Sequence, residues 1–113
     1  MSEAALKRDV LDAVNATGAV RAWSSPAGIV KVRGAWLHLA PLGCPDIVGF
    51  VLRDGRFFGL EIKVPGNKTA KARAEAQHAF QSAIAENGGV VGQVESVEQA
   101  VALVRAAVDG RAE

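Results

Sequence analysis

The stretch Asp46–Val64, DIVGFVLRDGRFFGLEIKV, decides how the rest of the chain is read. Two apolar runs, residues 46–52 and 57–64, are joined by Arg53, Asp54, Gly55 and Arg56. Asp-Gly between such runs is a strong hairpin signal, because glycine accepts the positive backbone angle that a tight turn demands. A turn centred on Asp54 and Gly55 sets Leu52 opposite Phe57, Val48 opposite Glu61 and Asp46 opposite Lys63. Partners across a hairpin point to the same side, and side chains two apart on one strand share a face. Asp46, Glu61 and Lys63 are therefore expected to converge, with direct neighbours about 5 Å apart and diagonal ones about 7–8 Å.

The flanks supply the rest of an α/β domain. Upstream, Leu6, Val10, Leu11 and Val14 recur at helical spacing, which predicts a helix over 3–17 with Ser2 as N-cap and Gly18 as stop. A short strand is expected over 19–24, broken by residues 25–28. Residues 29–32 and 35–39 flank Arg33 and Gly34 and suggest a further hairpin or a bent excursion. Downstream, a helix over 69–87 carries Ala72, Ala76, Phe80, Ala83 and Ile84 on one face and stops at Gly88 and Gly89. A strand over 90–94 follows, and Ser96 with Gln99 forms a capping-box pattern that opens a helix on Val97, Ala100, Val101 and Val104. The order α-β-β-β-α-β-α fits one mixed central sheet flanked by helices.

The chain of 113 residues, 50% hydrophobic and 22% charged, suits one compact domain over 1–113. No apolar run approaches the roughly 18 residues of a membrane span, so a soluble protein without membrane or signal segment is expected. The single cysteine, Cys44, excludes an internal disulfide and a cysteine-based zinc cluster, and it suits a reducing, cytoplasmic setting, whether bacterial or phage-encoded. His38 and His78 are the only histidines, too few for a histidine-based zinc site. A net charge of +1 gives no whole-molecule pull on nucleic acid, so any such contact must be local. Lys63, Lys68, Lys71 and Arg73 form such a patch, with Arg53 and Arg56 shortly before it.

The hairpin's charges sit among Ile47, Val48, Phe50, Val51, Leu60, Ile62 and Val64, a composition typical of strands covered on both faces. Burying an unpaired charge is costly, so the trio needs a reason. A salt bridge from Lys63 to the two carboxylates is one. It does not explain the second carboxylate, Glu61, against one lysine beside a basic patch; two acids, one base and nearby cations suit a metal that handles phosphate. Oxygen ligands favour a hard ion such as Mg2+ or Mn2+. Such an ion, held by Asp46 and Glu61, acidifies a water and neutralises phosphodiester charge, while Lys63 orients the water or stabilises the transition state.

With those residues in view, Gly43-Cys44-Pro45-Asp46-Ile47-Val48-Gly49 and Glu61-Ile62-Lys63-Val64-Pro65-Gly66 resemble the PD-(D/E)XK nuclease signature, and within that superfamily the VRR-NUC domain. Gln77 on the following helix adds to the likeness, which covers about residues 43–101. The resemblance implies a divalent metal on Asp46, Glu61 and the Ile62 carbonyl, a catalytic Lys63, and Gln77 close to the metal or the scissile phosphate. It also implies that an acidic residue of the first helix reaches the site, for which Glu3 is best placed; the same residue equally suits a helix N-terminus. Stand-alone domains of this kind are similar to homodimeric, structure-specific nucleases such as Holliday junction resolvases. Symmetric cutting of a junction would require a two-fold dimer, and Trp23, Trp36, Phe57 and Phe58 are candidates for its interface or for core.

The expected activity is thus metal-dependent DNA endonuclease action on branched DNA, junctions or flaps. Lys68, Lys71, Arg73 and Asn67 would contact the backbone, aided by the amides of the helix start, and Thr69 would cap that helix. Restriction-type or exonuclease cutting, a catalytically silent DNA-binding or dimerisation module, and an ordinary domain with a structural salt-bridge cluster are the alternatives.

Overall fold

The computed structural model describes residues 2–25 and 29–109, so the break expected at 25–28 lies outside it except for Ser25. Helix α1 (Glu3–Ala16) begins where Ser2 Oγ accepts from the Ala5 amide at 3.1 Å, as its capping chemistry requires. It buries Leu6, Val10 and Val14 and ends before Gly18, whose φ is +75°. Strand β1 (Val20–Ser24) follows. Next come β2 (Ile29–Val32) and β3 (Ala35–His38), then β4 (Ile47–Val51) and β5 (Phe57–Ile62). The chain closes with α2 (Lys71–Glu86), β6 (Val90–Val94) and α3 (Val97–Val108).

The central sheet runs β1-β4-β5-β6, with β5 and β6 parallel and the other pairs antiparallel. The elements α1, β1, β4 and β5, followed by α2, β6 and α3, reproduce the anticipated mixed α/β order. The hairpin expected around Arg33 and Gly34 also forms, as β2–β3, but it pairs only with itself and stays outside the central sheet. Its turn forms at Arg33 and Gly34, with φ of 51° and 82°. Every residue of both strands is exposed, including Ile29, Val32, Trp36 and Leu37.

The hairpin that decides the fold forms, but two residues out of the expected register. Phe50, not Leu52, stands opposite Phe57, and Ile47 stands opposite Leu60. The cause is the loop. Instead of a two-residue turn, four residues, 52–55, cross between Val51 and Arg56, closed by Gly55 N–H to the Val51 carbonyl at 2.7 Å and Val51 N–H to the Arg56 carbonyl at 2.9 Å. Only Gly55 takes a positive φ, of 80°. Asp54 instead accepts from the Arg56 amide and guanidinium, at 3.1 and 2.8 Å. A slip of one would have turned the acids to the opposite face; a slip of two keeps each on its face and brings Asp46 level with Glu61 rather than with Lys63.

Burial follows position in the sheet. Central β5 is covered on both faces beyond its first residue, whereas β4 leaves Phe50 37% exposed. Val10, Val14, Ile47, Val51, Phe58, Leu60, Ala100 and Val104 are fully buried between sheet and helices. Phe58 is therefore core and no interface residue. On α2 the inward residues are Gln77 and Ile84, so Ala72 and Ala83, expected inside, face out. Helix α3 starts at the Ser96 cap, with Ser96 Oγ accepting from Gln99 N–H at 3.1 Å and Gln99 Oε1 from the Glu95 amide at 2.7 Å. Among the described residues no helix is long and apolar enough to cross a membrane.

Candidate active site

The site forms where β4 begins, β5 ends and α2 approaches. Gly43 allows that meeting. It adopts φ +87°, and a Cβ there would overlap the Ala76 carbonyl and crowd the Gln77 amide nitrogen, so only glycine lets the strand-entry loop lie on α2. Pro45 then packs fully buried over Gly59, where any larger residue would crowd its ring. The carbonyl of Asp46 accepts from the Ser25 amide at 2.8 Å, and Asp46 Oδ2 accepts from the Ile62 amide at 2.8 Å. The half-buried Asp46 carboxylate is thereby pinned beside the end of β5.

Glu61, from the central strand, is 3% exposed. Gln77 Nε2 donates to Glu61 Oε2 at 3.1 Å, but Glu61 Oε1 is buried with no partner. The group beside it is another carboxylate, Asp46, which offers no donor while ionised. Burial first, and then the neighbouring Asp46, push the Glu61 carboxyl up from its ordinary 4.5 to about 8, against the pull of Lys63 and Arg73. Two acids share one corner, and something positive, a proton or a cation, is needed between them.

That something is not Lys63. Its ammonium donates to Gln77 Oε1 at 2.8 Å and to Thr69 Oγ1 at 3.1 Å, and it makes no ion pair with either carboxylate. A structural salt-bridge cluster is therefore not what the geometry builds. The reason is one of spacing: with Asp46 level with Glu61, Lys63 lies one step beyond the pair, just past β5. Thr69 does not cap α2, whose N-cap is Ala70 with no side-chain hydrogen bond.

Two open clefts meet at Glu61, Arg73 and Gln77. One, of about 450 Å3, is polar: Lys63, Asn67, Lys68 and Thr69 line it, together with Ile62 and Glu3. The other, of about 560 Å3, contains Asp46 and is walled by Pro41, Leu42, Cys44 and His38. Glu3 thus reaches the rim of the site. It does not complete a cage, since among the described residues no group of three or more His, Cys, Asp or Glu side chains gathers.

The expected basic patch divides. Lys68, Asn67 and Arg73 border the clefts, but Lys71, the first residue of α2, lines neither. Arg53 and Arg56 lie at the hairpin tip, the far end of the strands from Asp46, and Arg56 braces the fold by donating to the Ala107 carbonyl at 3.1 Å. Sequence reasoning missed the partnership of Thr69 with Lys63 and the cleft wall at 41–44. A lone threonine after a loop carries no signal that distinguishes a cap from a lysine partner. Neither models of known protein families nor curated proteins match the chain, so the chemistry rests on these atoms.

Proposed function

We propose that the chain is a metal-dependent nuclease that hydrolyses phosphodiester bonds in DNA, with branched DNA, junctions or flaps as its substrates. The observation that carries this reading is the buried, unpartnered Glu61 Oε1 beside the Asp46 carboxylate. A proton or a cation satisfies that pair, and an all-oxygen donor set suits a hard divalent ion, which takes one or two carboxylates and fills its remaining positions with water or phosphate. Asp46, Glu61 and the Ile62 carbonyl would hold Mg2+, with Mn2+ as substitute. Once bound, such an ion neutralises phosphate charge and acidifies water.

The remaining residues have distinct parts. Gln77 holds Glu61 through Nε2 and Lys63 through Oε1, fixing both relative to the acid pair. Lys63 supplies a positive charge next to the reacting phosphate and orients the attacking water. Thr69 keeps that ammonium aimed. Ala70, the N-cap of α2 without a side-chain cap, borders the polar cleft, where Lys68, Asn67 and Arg73 would add phosphate contacts. VRR-NUC nucleases are the family this arrangement supports best.

Exposed apolar residues support a homodimer. Trp36 is 67% exposed, and Trp23, Phe57 and Ile29 are also open to solvent. Sedimentation of wild type against Trp36→Glu tests this, with a dimer expected for the first and a monomer for the second. The half-buried thiol of Cys44 suits a cytoplasmic setting. The nuclease reading is tested by incubating the protein with Mg2+ or Mn2+ and duplex, flap and four-way-junction DNA, alongside Lys63→Ala. Cleavage by wild type alone supports it. Wild type that binds no ion and cuts nothing refutes it.

A further inference from the structure

The two clefts that meet at Glu61 differ in kind, and a phosphate presented to Asp46 and Glu61 sits where they meet. On one side, Asn67, Lys68 and the start of α2 suit a sugar-phosphate backbone. On the other, beyond the shared Arg73, the wall is Pro41, Leu42 and Cys44, with His38 the one further cation-capable side chain. A phosphate gains nothing from that wall. A flat, largely apolar group does, and about 560 Å3 lies within the roughly 300–1,000 Å3 typical of small-molecule sites.

We propose that this second cleft receives an unpaired nucleobase of the strand being cut, so that the substrate carries an unpaired nucleotide next to the scissile phosphate. The proposal rests on the nuclease reading and narrows it. A base inside a duplex must leave its stack to enter a pocket, which handicaps fully paired DNA, whereas flaps, loops and frayed ends present the base without that cost. Arg73, which lines both clefts, would stack on the base and reach the neighbouring phosphate. Leu42, 75% exposed, offers the base an apolar wall that contributes little to the core.

The chain's one cysteine reports on the cleft, because Cys44 lines it and is half-buried against Ser25, with Sγ 3.4 Å from the hydroxyl. Wild-type protein, with calcium in place of magnesium, is mixed with an eight-nucleotide thymidylate strand or with an equally charged strand of abasic deoxyribose phosphates. Binding is followed by fluorescence anisotropy and Cys44 alkylation by mass. The thymidylate strand is expected to bind about tenfold tighter and to slow alkylation about fivefold, with the abasic strand bound but not protective. Leu42→Ser is expected to narrow the preference for thymidylate while leaving abasic binding unchanged, which keeps the test decisive even where the thiol reacts slowly. Equal binding and equal protection by both strands overturn the base site alone. If neither strand binds, the base site falls together with the nuclease reading. Protection that grows with protein concentration in the absence of DNA assigns the cleft to a second copy of the chain and also overturns the base site.

Discussion

Lys63 Nζ donates to Gln77 Oε1 across 2.8 Å, and that bond dictates which way the Gln77 amide faces. With its oxygen committed to lysine, its nitrogen is left to donate to Glu61 Oε2 at 3.1 Å. One neutral side chain, 4% exposed, thus links the base of the site to the acid and keeps them apart. Gln77→Leu has a similar volume and neither bond. It is expected to cost about 1–3 kcal/mol of stability, the penalty for stranding buried polar groups, and to lower single-turnover cleavage by at least roughly tenfold. Chemical denaturation and quench-flow measure the two effects separately.

Thr69 holds the other side of the same ammonium. Thr69→Val keeps the shape and removes the acceptor, so the lysine swings more freely. Cleavage is expected to slow by roughly tenfold, consistent with about 1.5 kcal/mol for a hydrogen bond to a charged group, while Thr69→Ser retains wild-type rate. If α2 were capped by this residue instead, the valine variant would lose helix stability and the rate would follow the folded fraction.

Gly43 sets the distance between the strand-entry loop and α2. Gly43→Ala must place a methyl against the Ala76 carbonyl at φ +87°, so it is expected to destabilise by more than about 1 kcal/mol and to loosen Gln77 from Glu61. Thermal unfolding reads the first effect. Loss of cleavage at temperatures where the variant remains folded reads the second.

The Glu61 carboxyl, pushed up to about 8 by burial and by Asp46, makes metal-free stability depend on pH. Between 4.5 and about 8 the folded chain holds a proton that the unfolded chain has released. The stability this group contributes is therefore complete at the acidic end and is lost as pH rises through the folded value. In EDTA the melting temperature is expected to fall across that window, and Glu61→Gln to flatten the fall. Mg2+ bound at the proposed acid pair would compete with the proton, so its stabilising effect is expected to grow with pH. A pH-independent magnesium shift contradicts this coupling.

The sequence made the central hairpin legible because Asp-Gly punctuation and two apolar runs are local features. It did not reveal the register, since whether two or four residues cross a turn depends on bonds such as Gly55 N–H to Val51 that no dipeptide specifies. The convergence of Asp46 and Glu61 survived because the slip was an even number of residues, and with it the pairing changed from acid–base to acid–acid. Helix α2 was misread at Ala72 and Ala83 for a related reason, while Ile84 is buried as expected. Alanine marks no face strongly, so Gln77, the inward polar residue, could be placed inside by family likeness but not by periodicity. The isolated β2–β3 ribbon has ordinary strand composition, and pairing with nothing else is a tertiary fact.

Whether Asp46 and Glu61 are a divalent-ion site that drives phosphodiester hydrolysis is tested most directly by one titration. Single-turnover cleavage of a fluorescent flap DNA is followed as magnesium is raised, for wild type, Asp46→Asn and Lys63→Ala. The expected result is cleavage that is absent in EDTA, saturates with magnesium, and drops by at least roughly a hundredfold in both variants, with Asp46→Asn also needing more metal. Cleavage that persists in EDTA, or that is unchanged by either substitution, would contradict it.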